Sequence, residues 1–273
     1  MPRSIWKGVV SFGMVSIPVK LYSATESKDV SFHLLHPVCN SRIRQQRWCP
    51  VCETEVEWGD TVRGYEYGKD QHVIVTDDDF ESLPLPSKHT IELSSFVSDE
   101  EIDPVFYEKS YYLEPEEVGA KPFALLNRAL RDKGLIAVAK IAIRNKERLC
   151  ALRPLDGTIM LETLFYPDEI RVERGAETQA ADVSERELTM AFTLIDLLTE
   201  PFQPEKYHDD YREALTRVIE AKLQGEEVVA VPPAPAGKAV DLMSALKASV
   251  EEARKRREEE RAPKAVAGRR KAS

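Results

Sequence analysis

The first two thirds of this 273-residue chain consist mainly of short runs of β-branched and aromatic residues, separated by glycine, proline and polar clusters. Runs of this kind predict β-strands. Asp156-Gly157 predicts a two-residue hairpin turn, and Asn145-Lys146 predicts a second turn before it. Pro18 has no N–H to donate, so its strand is expected to lie at a sheet edge or to contain a bulge. The expected strands are Val9–Phe12, Val15–Tyr22, His72–Thr76, Thr90–Val97, Tyr107–Leu113, Ile136–Arg144, Arg148–Leu155 and Thr158–Tyr166.

One helix is expected before the last three strands. Pro122 would occupy its first turn, and Phe123, Leu126 and Leu130 recur behind it at helical spacing. These three apolar residues should therefore face the strands.

The pattern then changes to two amphipathic helices. Ser184-x-x-Glu187 is a capping box that starts the first of them, which should end before Pro201. The second is expected from about Asp210 to Gly225. Helices this short do not fold alone, so their apolar stripes must pack on the strands or on another chain. The stripe residues are Leu188, Ala191, Phe192, Ile195, Leu215, Val218, Ile219 and Leu223.

A proline-rich segment, residues 229–240, predicts an extended linker. Beyond it, Asp241 would cap a short helix with Leu242, Leu246 and Val250 on one stripe. From Arg254 onward, basic residues first alternate with glutamate and then stand alone. This last stretch is expected to be disordered on its own.

The formal net charge of −9 argues against a protein whose whole surface binds DNA, but it permits one that concentrates positive charge on one face. The sequence shows no signal peptide and no run of membrane-spanning length, which predicts a cytoplasmic protein.

The sequence also shows no nucleophile elbow, phosphate-binding glycine loop or divalent-metal helix motif, which favours a binding protein over an enzyme. Asp77, Asp78 and Asp79 indicate a capped helix start rather than a metal cluster. Cys150, inside a strand, indicates a core thiol.

His36, Cys39, Cys49 and Cys52 form two knuckles, His-x2-Cys and Cys-x2-Cys. This spacing lets four protein side chains close a tetrahedron around a structural zinc ion, with no open position for water. Clustered cysteines in a reducing compartment fit a metal site better than a disulfide framework. The alternatives are unrelated thiols and His33 in place of His36 as the fourth ligand.

The loop between the knuckles carries three arginines, whose guanidinium groups suit phosphate. A structural metal beside a basic loop predicts a polyanionic ligand, most simply nucleic acid. The candidate DNA-binding residues of this loop are Arg42, Arg44 and Arg47. Further candidates, at the first predicted hairpin turn, are Arg144, Lys146 and Arg148.

Several short motifs follow one another along nearly the whole chain. They are Trp6-Lys7-Gly8, Ser11-Phe12-Gly13, Ile17-Pro18-Val19-Lys20-Leu21-Tyr22-Ser23-Ala24-Thr25-Glu26, Ser31-Phe32-His33, Gly64-Tyr65-Glu66-Tyr67, Glu101-Ile102-Asp103-Pro104, Tyr111-Tyr112-Leu113, Ala139-Lys140, Leu152-Arg153-Pro154 and Asp241-Leu242-Met243-x-Ala245-Leu246. In this order they resemble the prokaryotic Ku family. The His/Cys set is not part of the eukaryotic Ku pattern, so the zinc prediction rests on spacing in this chain.

The resemblance implies a mainly β fold with α: a Ku-core β-barrel with a bridge insertion over DNA and a C-terminal helical arm, assembled as a ring-shaped homodimer. The implied domains are a barrel at 1–180 with its bridge at about 24–65, a dimerising arm at 181–228, the linker, and a ligase-recruiting helix with a basic tail at 241–273. The implied function is non-enzymatic: sequence-independent binding of double-stranded DNA ends by threading, with recruitment of an ATP-dependent DNA ligase for non-homologous end joining. The implied location is cytoplasmic and nucleoid-associated.

Site residues follow from the same resemblance and from the apolar stripes. The dimer interface is expected at Phe192, Ile195, Leu215 and Ile219, with packing on their own barrel as the alternative. The ligase-binding residues are expected to be Leu242, Met243, Leu246 and Val250. Two rival functions are a zinc-ribbon transcriptional regulator that grips DNA from one side and a nuclease.

Overall fold

The computed structural model describes residues 3–144, 146–171, 183–225 and 242–261. The chain divides into two compact units, Met1–Glu173 and Arg174–Ser273. The predicted linker at 229–240 and the basic tail beyond residue 261 lie outside the described residues.

The first unit contains the strands and two helices. The strands are β1 (Trp6–Phe12), β2 (Val15–Ser23), β3 (Trp48–Cys49), β4 (Thr54–Glu55), β5 (Arg63–Gly68), β6 (Gln71–Val75), β7 (Thr90–Ser98), β8 (Tyr107–Pro115), β9 (Leu135–Ile143), β10 (Lys146–Leu155) and β11 (Thr158–Leu164). The helices are α1 (Asp77–Glu81) and α2 (Ala120–Lys133), followed in the second unit by α3 (Glu185–Leu198), α4 (Asp210–Gln224) and α5 (Leu242–Arg261).

A closed barrel forms the body of the first unit, with strand order β1-β2-β8-β11-β10-β9-β7. β7 pairs with β1 in parallel, with Val9 opposite Thr90, and closes the barrel. The other neighbouring pairs are antiparallel. Closure leaves no sheet edge exposed. The predicted barrel is therefore confirmed, and its core consists of inward-facing aliphatic residues such as Ile17, Leu21 and Leu161, which are fully buried.

The β9–β10–β11 meander follows the sequence prediction closely. Leu155 pairs with Thr158 across the predicted Asp156-Gly157 turn, where Gly157 has a φ of 79°. Lys146, predicted to lie in the preceding turn, instead begins β10 and pairs with Ile143 at the end of β9.

Pro18 corrects the expectation of an edge strand or bulge. β2 lies between β1 and β8 inside the barrel. The pairing with β8 ends at Val19, opposite Pro115, and the Pro18 carbonyl accepts a hydrogen bond from the Glu116 N–H at 2.9 Å on that side. The N–H that proline lacks would also point toward β8, where the strand pairing has already ended. No hydrogen bond of the ladder is therefore lost, and proline is tolerated in a strand that has neighbours on both sides.

α2 packs on the barrel as the helical spacing predicts. Phe123, Leu126 and Leu130 are buried in the same core as the strands. Asn127 Nδ2 donates to the carbonyls of Leu155 at 3.1 Å and of Thr158 at 2.8 Å, which ties the helix to the β10–β11 hairpin. Burial of each large apolar side chain contributes about 1.5–3 kcal/mol.

Between β2 and β7 the chain forms an insertion, residues 24–85, which is longer than the bridge predicted at about 24–65. It contains two ribbons, β3–β4 and β5–β6, and the short helix α1. None of its residues is buried, and Trp48 and Trp58 are 61% and 73% exposed. A segment without a core needs another source of stability, such as a metal, a ligand or a partner chain.

The second unit contains α3, α4 and α5. The predicted capping box starts α3, since Ser184 Oγ accepts from the Glu187 N–H at 3.3 Å and the Glu187 carboxylate accepts from the Ser184 N–H at 2.8 Å. Gly225 ends α4 with a φ of 77°, as expected of a helix C-cap. In the described part of the chain, no helix has the length and apolar character needed to cross a membrane.

α5 corrects the prediction of a short helix followed by a disordered basic stretch. The helix runs for 20 residues and packs along α3, with Val250 and Ala253 buried. Glutamate, alanine, lysine and arginine are strong helix formers, and an Arg256–Glu252 pair at 2.6 Å adds support one turn apart. The charged segment through Arg261 therefore continues the helix.

Candidate nucleic-acid interface on the insertion

The first His/Cys knuckle is a tight hairpin in the insertion. Leu35 pairs with Arg42, and the His36 N–H donates to the Ser41 carbonyl at 2.9 Å. His36 Nδ1 lies 3.3 Å from Cys39 Sγ. Hydrogen bonds from Ser41, first from its hydroxyl and then from its backbone, lower the pKa of the Cys39 thiol. The knuckle therefore brings together an imidazole and a thiol of lowered pKa.

The second knuckle connects β3 to β4. Cys49 pairs with Thr54 in this ribbon. Hydrogen bonds from the Cys52 and Val51 backbones and from the Cys52 side chain lower the pKa of the Cys49 thiol. The contact with Cys49 raises the pKa of the Cys52 thiol, so Cys49 is the more readily ionised of the two, and thiolate is the form of cysteine that binds metals.

The two knuckles share a pattern that the sequence analysis missed. Pro37-Val38-Cys39 and Pro50-Val51-Cys52 are the same tripeptide. The residue after each repeat has a positive φ, 54° at Asn40 and 50° at Glu53. This left-handed residue reverses the chain, and non-glycine residues rarely adopt it without a reason. The Pro-Val-Cys repeat was visible in the sequence and would have identified the knuckles as one repeated unit.

The predicted zinc ligands lie as two pairs, His36 with Cys39 and Cys49 with Cys52. Among the described residues, no three His, Cys, Asp or Glu side chains are grouped as a metal site would require. The pairing of His36 with Cys39 favours His36 over His33 within the first knuckle. The donor set, one imidazole nitrogen and three sulfurs, is of the type that binds structural zinc.

The loop arginines are exposed, and none of them pairs with a carboxylate in the described part of the chain. Arg47 places its guanidinium carbon 4.4 Å from the ring centroid of Trp58, an arrangement that the sequence analysis did not anticipate. From Val30 to Cys52 the sequence contains these three arginines and no aspartate or glutamate. This stretch therefore carries only positive formal charge, in a chain of net negative charge.

The three residues near the β9–β10 turn differ from one another. Lys146 Nζ pairs with Glu169 at 2.7 Å, and the Arg148 guanidinium pairs with Glu108. Arg144 is exposed, has a φ of 51°, and makes no ion pair with a described residue. Of the three candidates, Arg144 therefore has the charge most available to a phosphate.

The predicted dimer residues divide by exposure. Phe192 and Ile195 are 56% and 59% exposed on α3, whereas Leu215 and Ile219 are half-buried on α4. The α3 side chains thus leave an apolar surface open to another chain.

The predicted ligase-binding residues lie on α5 in different environments. Leu242 is exposed, Met243 and Leu246 are half-buried, and Val250 is buried on the face that packs along α3.

Two residue interpretations from the sequence are confirmed. Thr76 caps α1 and forms a capping box with Asp79, and its backbone N–H lowers the pKa of the Asp79 carboxyl. Cys150 is fully buried in β10, and burial raises the pKa of its thiol, as expected of an inert core cysteine.

The barrel and its insertion define a protein of the Ku β-barrel class. The family model described as the Ku70/Ku80 beta-barrel domain matches residues 11–190. The chain belongs to the prokaryotic Ku family, as the sequence motifs predicted.

Curated relatives support this assignment. The non-homologous end joining protein Ku of Heliobacterium modesticaldum is 45% identical over 265 residues, which cover 96% of each chain. The protein of the same name from Symbiobacterium thermophilum is 46% identical over 258 residues, 93% of this chain but 64% of that protein. That of Bacillus subtilis is 39% identical over 258 residues, 93% of this chain and 83% of that one.

Proposed function

We propose that this chain binds the ends of double-stranded DNA as a ring-shaped homodimer and acts, without catalysis of its own, in non-homologous end joining. Membership of the Ku family is the observation that carries the proposal. The exposed arginines of the insertion support it, because a bridge over DNA needs positive charge facing the duplex.

A ring reconciles DNA binding with a net charge of −9. Only the inner wall must be positive, while an acidic exterior keeps the protein soluble and limits binding elsewhere. Breaks occur at any sequence, so the contacts go to phosphate and sugar rather than to base edges. Arg42, Arg44, Arg47 and Arg144 are the proposed phosphate ligands.

The arm supplies the dimer contact in this proposal. Phe192 and Ile195 offer exposed apolar area on α3, and Leu215 and Ile219 on α4 add to it. Obligate dimers bury more than about 2,000 Å² of mostly apolar surface, which isolated side chains on one helix cannot supply without neighbouring elements.

A structural zinc ion is proposed for the insertion, held by His36, Cys39, Cys49 and Cys52. The support is the paired donors in two equivalent knuckles and the absence of any buried residue in residues 24–85. Zinc would supply folding free energy that this segment cannot obtain from a core.

Recruitment of an ATP-dependent DNA ligase is proposed for the start of α5, through Leu242, Met243 and Leu246, whereas Val250 is buried against α3 and supports the helix. The test is a chain truncated after Gly237, assayed for DNA binding and for stimulation of the ligase. Retained binding with lost stimulation is expected, and full stimulation by the truncated chain would reject this assignment.

The experiment that tests the ring compares a linear fragment with a covalently closed circle of the same sequence in a gel shift. The linear DNA is expected to bind and the circle to remain free, because a duplex enters a closed ring only through an end. Equal binding of both forms would instead favour a regulator that grips DNA from one side, and degradation in magnesium would favour a nuclease.

The arginines are tested on the linear fragment by varying the salt concentration. Each alanine substitution at Arg42, Arg44 or Arg47 is expected to reduce the slope of log affinity against log salt by about 0.9. Arg148→Ala is the matched control, because its guanidinium already pairs with Glu108 and its loss should leave the slope unchanged.

A further inference from the structure

The three tryptophans of the chain have three different environments. Trp6 is 9% exposed and donates its indole N–H to the Lys88 carbonyl at 3.0 Å. Trp58 has the Arg47 guanidinium over its ring. Trp48 is 61% exposed, and its ring and N–H contact no other described residue by hydrogen bond, ring stacking or cation–π interaction. The aromatic face of Trp48 is therefore open to a ligand.

Charge around Trp48 indicates the kind of ligand that this face would accept. Trp48 follows Arg47 directly and belongs to the carboxylate-free stretch from Val30 to Cys52. Its cross-strand neighbour on β4 is a carboxylate, Glu55, which accepts a hydrogen bond from Gln46 Nε2 at 3.1 Å. The exposed tyrosines Tyr65 and Tyr67 flank Glu66 and lie outside the carboxylate-free stretch.

We propose that Trp48 stacks on an unpaired nucleobase of a single-stranded overhang, while the adjacent arginines hold the phosphates of that strand. Inside a duplex both faces of each base pair are covered and at a blunt end only one face of the terminal pair is open, whereas an overhang exposes the faces of each unpaired base to an aromatic surface. Every base has such a face, so stacking requires no particular sequence. A cationic loop with an interleaved aromatic side chain is the arrangement that single-strand binders use.

This inference rests on the proposed function and refines it. Threading recognises an end by topology, whereas stacking on Trp48 recognises the chemistry of the end. The two can be separated experimentally, because blunt ends offer threading without an unpaired base.

The experiment measures the affinity of the full chain for three versions of one duplex that differ in their termini. The first has blunt ends, the second has a 3′ single-stranded extension, and the third has an abasic extension of the same length. The extension is expected to increase affinity and to quench the tryptophan fluorescence, whereas the abasic extension does neither. Base–aromatic stacking is worth about 5- to 150-fold in affinity per base, so Trp48→Leu should lose at least about fivefold for the overhang.

The variants keep the result interpretable. Trp48→Leu should bind the blunt duplex as the wild type does, and Trp48→Phe should restore most of the overhang preference. Tyr211→Leu is the control, because Tyr211 is an exposed aromatic residue on α4, 79% exposed. An equal gain from the abasic extension, or an equal loss for blunt and overhang DNA in Trp48→Leu, would overturn the proposal. Equal affinity for linear and circular duplex would reject the ring instead and leave the stacking result to stand by itself.

Discussion

Replacing Cys49 and Cys52 together with serine is expected to abolish binding of the proposed zinc ion and to unfold the insertion while the barrel remains folded. Structural zinc contributes about 10–16 kcal/mol of apparent binding free energy, comparable with the entire stability of an ordinary domain. The insertion has no buried residue to compensate for such a loss. The measurements are metal content per chain by mass spectrometry and limited proteolysis, with new cleavage sites expected within residues 24–85.

Cys150→Ala is the matched control for this prediction. Cys150 is the cysteine that lies outside the knuckles, in the barrel core, and its replacement should leave metal content unchanged although it costs some stability. A wild-type protein that is free of metal and yet resists proteolysis in the insertion would contradict the zinc proposal. In that case a partner chain or DNA would have to order the segment.

Replacing Phe192 and Ile195 together with aspartate is expected to yield a soluble monomer with a greatly reduced affinity for DNA. Both side chains are more than half exposed, so the substitutions remove little packing within the chain. Two aspartates on each of two facing stripes would introduce buried, unpaired charge into the interface. A monomer also loses the second DNA-binding half, which is worth about 10²- to 10⁴-fold in affinity. Light scattering and a gel shift on linear DNA measure the two effects.

Arg186→Asp is the control for the dimer prediction. It lies on the same helix, is exposed, and changes the net charge by the same amount as the double substitution. It should remain dimeric with a smaller loss of DNA affinity. A dimer that persists in the Phe192/Ile195 variant would place the interface elsewhere, with the α4 residues as the next candidates.

Local signals in the sequence predicted much of the barrel. Strand periodicity, the Asp156-Gly157 turn and the Ser184 capping box depend on neighbouring residues, and each is present at its predicted position. Pro18 was interpreted wrongly because the end of the β8 ladder, which makes proline tolerable there, is a non-local property. The length of α5 was underestimated because its packing on α3 could not be inferred from the charged segment alone.

The candidate site was predicted less completely. Residue type and spacing identified the knuckles and the loop arginines, but not the ion pairs of Lys146 and Arg148, whose partners lie far away in the sequence. The same limitation applies to the stacking of Arg47 on Trp58. The Pro-Val-Cys repeat, in contrast, is a local signal, because residue identity alone relates the two knuckles.

The barrel holds both ends of the insertion beside the same strand. β2 runs antiparallel to β1 and β7 runs parallel to it, so the end of β2 and the start of β7 lie at one end of the barrel, on either side of β1. Lengthening the loop between such anchors costs only about 0.6 kcal/mol of closure entropy per doubling. The insertion can therefore become longer or shorter, and so span a wider or narrower ligand, without any change in the hydrogen bonds of the barrel.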